Sequence, residues 1–268
     1  MELRVICIHI KFNFVGKTMK STMKRKTNIP RIEKGMTKLV VPHQKGEISF
    51  AYPSVGPETY QDVGALILKR GQQVPVGDYA ASLVHAAYCV PELENKPEFK
   101  DVRDIMRNKW LWVFNRNLWT PKGVYVVQDT KALGRSQPLN QNELEKMLKG
   151  GKDFNGIRFS KDRSVRFAPK GSYSLKEHTP ESLVKDGFVI IGYGIEGAKK
   201  LGEVSAKLKY NPKTLGIEVQ KGQNSEQRAS ALVVLNRFRL YIDGNVWGGD
   251  RYGYAFGGIE ISGKALRA

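Results

Sequence analysis

The chain is expected to be an α+β protein, with mixed helices in its first half and mostly antiparallel strands and hairpins in its second. Three observations predict this. Apolar residues recur at helical spacing over Val76, Tyr79, Ala80, Leu83, Val84, Ala87 and Tyr88, one continuous stripe that Pro91 ends. After Gly150-Gly151, short β-prone runs are separated by glycine-rich turns. No internal repeat or low-complexity tract interrupts the order of elements.

The elements follow in order. Leu39 to Val41 and Ile48 to Ala51 read as strands around a turn at Pro42 to Gly46, and Pro53 to Pro57 breaks the pattern. The striped helix comes next, then a charged helix over Glu98 to Asn108, a β-prone aromatic run over Trp110 to Phe114, and a strand over Val124 to Val127. Asn140 to Lys149 is a short helix, and the glycine pair behind it is a C-cap signal. Ile157 to Phe159 and Val165 to Phe167 form a hairpin around Lys161-Asp162-Arg163, and Thr179 caps a short helix whose first residue is Pro180. Phe188 to Ile191 reads as a buried strand and Gly197 to Lys209 as an amphipathic surface helix with Glu196/Lys200 and Glu203/Lys207 at i,i+4. The remainder, Leu215 to Val219, Ala231 to Leu235, Phe238 to Ile242 and Tyr252 to Phe256, is strand.

Residues 1–35 are expected to be a basic, flexible extension, with Met19, Met23 and Met36 as further possible starts, and 36–268 the body, divisible into two lobes near 150–151. With 268 residues, 41% of them hydrophobic, the chain can bury a sizeable core without staples. The longest apolar run, Val5 to Ile10, is too short for a membrane span or a signal-peptide core, so no membrane insertion is expected. Cys7 and Cys89 are too few for a disulfide framework, and a reducing, cytoplasmic location is the default.

The net charge of +18 is distributed unevenly. Residues 1–46 hold eleven cations against two acids, and the remaining residues carry another +9. Such a potential attracts polyanions, with nucleic acid as the first expected partner.

Candidate contacts lie on strands. Arg158 and Arg166 alternate with Ile157, Phe159, Val165 and Phe167, with Lys161 and Arg163 at the tip, which predicts one cationic face on the hairpin. The alternation returns at Arg237, Arg239 and Tyr241 against Phe238, Leu240 and Ile242. Arginine beside aromatics on a strand face suits phosphate contact and base stacking. A third cluster, Arg107, Lys109, Trp110, Trp112, Phe114, Arg116 and Trp119, reads as core, because tryptophan supplies large buried area.

Other motifs point to other chemistry. Gly192-Tyr193-Gly194-Ile195-Glu196-Gly197 lies between an expected strand and an expected helix, where Gly192, Gly194 and Gly197 can cradle a phosphate. Against this, the next acid suited to a ribose, Glu218, lies 26 residues past Gly192 and inside its own strand, and Glu196 sits where phosphate charge belongs. Gly16-Lys17-Thr18 lacks the upstream glycine of a phosphate loop. Asp243 to Gly248 opens like a calcium loop, but Trp247 and Tyr254 replace oxygen ligands, so a hairpin turn is expected there. His85 and Cys89 are i,i+4 neighbours, a weak nucleophile-and-base candidate.

The leading expectation is therefore a low-specificity nucleic-acid-binding module. The alternatives are an enzyme holding a nucleotide or phosphorylated small molecule at 192–197, and a non-catalytic assembly protein. No cofactor, metal site or oligomeric state is legible in the pattern.

Overall fold

The computed structural model describes residues 31–33, 38–235 and 238–262. The expectations for residues 1–30 and for Arg237 lie outside the described residues. In chain order the elements are β1 (Arg31–Glu33), β2 (Lys38–His43), β3 (Gly46–Ala51), β4 (Val55–Glu58), α1 (Tyr60–Lys69), α2 (Gly77–Cys89), α3 (Pro97–Asn108), β5 (Trp110–Thr120) and β6 (Gly123–Gln128). They continue with α4 (Gln141–Leu148), β7 (Lys152–Phe154), β8 (Ile157–Phe159), β9 (Val165–Pro169), α5 (Pro180–Leu183), α6 (Gly187–Lys207), β10 (Tyr210–Leu215), β11 (Glu226–Leu235), β12 (Arg239–Val246), β13 (Gly253–Ala255) and β14 (Gly258–Ser262). The fold is α+β.

Two sheets organise the chain. An antiparallel sheet has the order β1-β2-β3-β14, and a larger sheet the order β10-β12-β11-β5-β6-β9-β8-β7, with β13 joining β4 to β5. Strands from both sides of Gly150-Gly151 share the larger sheet. Its central strand, β5, is buried along its length and sends side chains from its two faces into three clusters. Leu111, Val113 and Trp119 meet α2, α3 and α6 in a cluster that also takes Leu39, Val41, Ile48 and Phe50 of the small sheet. Trp112 and Phe114 meet Tyr60, Val63 and Ile67 of α1 on the opposite face, and Leu118 joins Tyr125, Phe167, Leu144 and Leu148 beneath α4. The tryptophan cluster of the sequence is thus core, as expected, with Trp112 and Trp119 fully buried. No helix among the described residues is long and apolar enough to cross a membrane.

The caps are local chemistry. Asn140 accepts from the Asn142 and Glu143 amides at the start of α4, Thr179 and Ser182 cap α5 reciprocally, and Asp186 accepts from the Phe188 and Val189 amides of α6. That last cap marks a correction: Phe188 to Ile191 is not a strand but the first turn of α6. All four of its apolar residues are buried, and a helix buried all round shows the same continuous apolar run as a buried strand. Two further readings change. The strand expected over Leu215 to Val219 is β10, which ends at Leu215. The turn expected over Asp243 to Gly248 is mostly β12, whose Gly244 is required by close packing: a Cβ there would stand 2.3 Å from Phe188.

Helix α6 is broken at Gly194, which adopts φ 71 and ψ 165. The break removes the intrahelical partners of the Ile191 and Gly192 carbonyls, and both are buried. Arg166 Nη1 donates to the Ile191 oxygen at 3.1 Å, and Asn115 Nδ2 donates to the Gly192 oxygen at 2.7 Å. Arg166 also forks onto Asp78 at the start of α2, at 2.9 and 3.1 Å. Gly77 beside it leaves no room for a side chain, since a Cβ would meet the Gly192 oxygen at 1.9 Å. One strand arginine therefore ties β9, α2 and the break in α6 together.

This separates two cations of the same hairpin. Arg166→Leu leaves Asp78 and the Ile191 carbonyl without their donor and is expected to lower unfolding free energy by ~3–5 kcal/mol. Lys161→Ser at the exposed tip is expected to change it by less than about 0.5 kcal/mol. Urea denaturation of the two variants checks the contrast.

Candidate nucleic-acid interface

The hairpin does not present one cationic face. Its register sets Arg158 opposite Phe167 and Phe159 opposite Arg166, so the two arginines project from opposite sides of the sheet. Arg166 is 3% exposed and committed to Asp78. Arg158 forks onto Glu145 at 2.9 Å through both nitrogens and lies 4.5 Å over the Phe167 ring. The Arg158 hydrogen bonds hold the Glu145 carboxyl below its usual range. Arg163 is half-buried at positive φ, and Lys161 alone of the four is fully solvent-facing. The expectation of one cationic face on the hairpin is corrected by this register.

The glycine motif is likewise corrected. Gly192 and Gly197 are buried inside α6, and Asp78 Oδ2 lies 3.0 Å from where a Cβ on Gly194 would stand. There is no strand-to-helix turn, and the Asp78 carboxylate lies beside Gly194. His85 and Cys89 do not pair: His85 Nε2 contacts Glu203 at 2.6 Å, and burial pushes the Cys89 thiol up to about 11, which disfavours a thiolate. No group of three or more His, Cys, Asp or Glu is placed to hold a metal ion among the described residues.

A buried polar cluster that the sequence did not single out joins the small sheet to the helices. Ser82 Oγ of α2 lies 3.0 Å from His43 Nδ1, 2.8 Å from Lys200 Nζ and 3.2 Å from the Asp78 carbonyl. Lys200 Nζ also donates to the Pro42 carbonyl at 2.8 Å. A serine hydroxyl offers one proton and two lone pairs. With His43 protonated on Nδ1, Ser82 accepts from His43 and Lys200 and donates to Asp78, so all its capacity is used. At 2% exposure Ser82 links α2 to His43 of the small sheet and to Lys200 of α6.

What the structure does expose is aromatic rings beside cations. Trp247, just past β12, is 52% exposed. The Arg228 guanidinium lies 3.6 Å from its ring centre and that of Arg135 4.1 Å. Arg228 is anchored to Glu226 and Asn245, whereas the exposed Arg135 has no acidic partner among the described residues. Before the other end of β12, Phe238 and Tyr210 are 46% and 40% exposed and meet edge-on at 6.4 Å. Lys209 lies 5.9 Å from the Phe238 ring centre and 5.4 Å from that of Tyr210, and Arg239, paired with Glu177 at 2.6 Å, lies 5.8 Å over Tyr210. Leu240 and Ile242 point inward as expected, and Tyr241 is half-buried on the outward side. Of the sequence candidates, Arg239 and Tyr241 belong to this surface, while Trp247, Arg135, Arg228, Tyr210 and Lys209 were not among them. The available signal was Trp247 followed by Gly248 and Gly249, a ring at the end of a strand with no apolar run behind it.

Comparison of the chain with protein families, curated proteins and solved structures finds no match.

The His43 cluster sets an acid limit on stability. Burial and the Lys200 charge lower the His43 pKa from 6.5 to about 4, partly opposed by Asp78. Between those values the unfolded chain binds a proton that the folded chain does not, so this contribution is complete above about 6.5 and fades as pH falls toward 4. Its full size is ~3 kcal/mol. In His43→Gln the stability lost between those pH values is expected to shrink by about that amount, as chemical denaturation across the range would show.

Proposed function

We propose that the protein binds nucleic acid with little sequence specificity, through exposed aromatic rings that carry cations beside them. The observation that supports this most directly is Trp247, half-exposed against the anchored Arg228 and accompanied by the uncompensated Arg135. The two guanidiniums lie over the ring itself, so the site offers their charge to phosphates, with the exposed part of the ring as an apolar contact beside them. The net charge of +18 adds long-range attraction. Neither the glycine motif nor the Ser82 cluster supplies an open reactive group, and this favours binding over catalysis. We place the protein in a reducing, cytoplasmic compartment on its two cysteines, one of which, Cys89, is a free thiol.

The test is a salt titration of binding to a labelled random oligonucleotide. The logarithm of affinity should fall linearly with the logarithm of salt concentration, and Arg135→Ser should reduce that slope by about 0.7 to 0.9. Trp247→Ala, which removes the ring that both guanidiniums lie over, should weaken binding as well. Affinity that does not change between about 50 and 200 mM salt would contradict the proposal.

A further inference from the structure

We infer that the recess lined by Lys170 to Lys176 and by Glu218 and Val219 is a binding site for a nucleoside monophosphate, separate from the surface at Trp247. It encloses about 370 Å³, the size of a small-molecule pocket, between the segment after β9 and the chain after β10. The backbone of the first segment is pinned. The Ser174 amide donates to Asp186 Oδ2 at 2.8 Å, and the Ser174 carbonyl accepts from Thr214 Oγ1 at 2.5 Å. The Ser172 and Lys176 carbonyls accept from the Gly187 and Thr214 amides at 2.8 and 3.1 Å. On the other side Gly216 lets the chain leading to Glu218 pass against the core, since a Cβ there would stand 2.3 Å from the Trp119 ring. Both sides are set before a ligand arrives, which lowers the ordering cost of binding.

The side chains, by contrast, are uncommitted. The Lys170 and Lys176 ammoniums, the Glu218 carboxylate and the Tyr173 and Ser174 hydroxyls make no hydrogen bond or ion pair among the described residues. Two ammoniums match the charge of roughly −2 that a phosphate monoester carries at pH 7. Glu218, an acceptor only, selects a ligand that brings hydroxyl or amino donors, as a ribose and a base edge do. Burial and the charges of Glu218 and Asp186 push the Tyr173 hydroxyl up to about 12, so it stays protonated and able to donate. Leu175, Val219 and the Tyr173 ring supply apolar surface for a planar base. A nucleoside monophosphate carries the charge, the donors and the apolar plane together. A sugar phosphate lacks the plane, and a nucleoside lacks the charge.

The experiment is calorimetric titration of the full chain with adenosine monophosphate, adenosine, ribose phosphate and inorganic phosphate. Adenosine monophosphate should bind, and each of the other three should bind about tenfold more weakly or worse. Lys170→Ser and Lys176→Ser should each weaken adenosine monophosphate about tenfold and leave adenosine nearly unchanged. Both lysines are exposed, so the variants should fold as the parent does. Trp247→Ala should leave the nucleotide affinity unchanged, which separates this site from the proposed nucleic-acid surface. Three results would each overturn the inference: no binding of adenosine monophosphate at about 1 mM, affinity that survives removal of both lysines, or ribose phosphate or inorganic phosphate bound as tightly as the nucleotide. Failure of oligonucleotides to bind the surface at Trp247 would leave this site standing.

Discussion

The break in α6 at Gly194 is the constraint around which the fold is arranged. A helix interrupted in a protein interior strands carbonyl groups where no water can reach them, and each lost partner is worth about 1–3 kcal/mol. Here two of the freed carbonyls are answered from β9 by Arg166 and from β5 by Asn115. Arg166 cannot be buried without a counter-charge, and Asp78 of α2 supplies it. The large sheet, the paired helices α2 and α6 and, through Ser82, Lys200 and His43, the small sheet are thereby held by one connected set of polar groups.

That arrangement decides which cations are free to act. Arg116, Arg158, Arg166, Arg228 and Arg239, one on each of five strands of the large sheet, all pair with a carboxylate of the same chain. They position neighbouring loops and helices, and where they lie over an aromatic ring they fix its orientation. The charge left for a partner belongs largely to lysines and to loop arginines such as Arg135. Beside it stand the exposed rings of Tyr210, Phe238 and Trp247, on which the proposed nucleic-acid binding rests.

Much of the fold was legible in the sequence for reasons that are local. The stripe of α2, the caps of α4 and α5 and the β8–β9 hairpin are each written within a dozen residues. What was not legible depends on distant partners. Helix α1 was missed because Gly64 interrupts its stripe, and that glycine is there because Phe114 and Ala132 leave no room for a Cβ. Phe188 to Ile191 was misread because burial on every side erases the periodicity that separates helix from strand. At the candidate surface, the alternation of arginine and apolar residues was visible, but the antiparallel register that sends Arg158 and Arg166 to opposite faces was not. Arg239 and Tyr241 could be found because one strand suffices to orient them, whereas the grouping of Trp247 with Arg135 and Arg228 needs three separate segments.

The proposed contact for nucleic acid is the exposed aromatic surface at Trp247, Tyr210 and Phe238 and not the hairpin of Ile157 to Phe167 with its run of arginines. Ultraviolet cross-linking of the full chain to a short oligothymidylate, followed by peptide mass spectrometry, tests it directly. The account predicts adducts on the peptides that hold Trp247 and Tyr210 or Phe238. Adducts confined to the peptides of Ile157 to Phe167, or none at low salt, would contradict it.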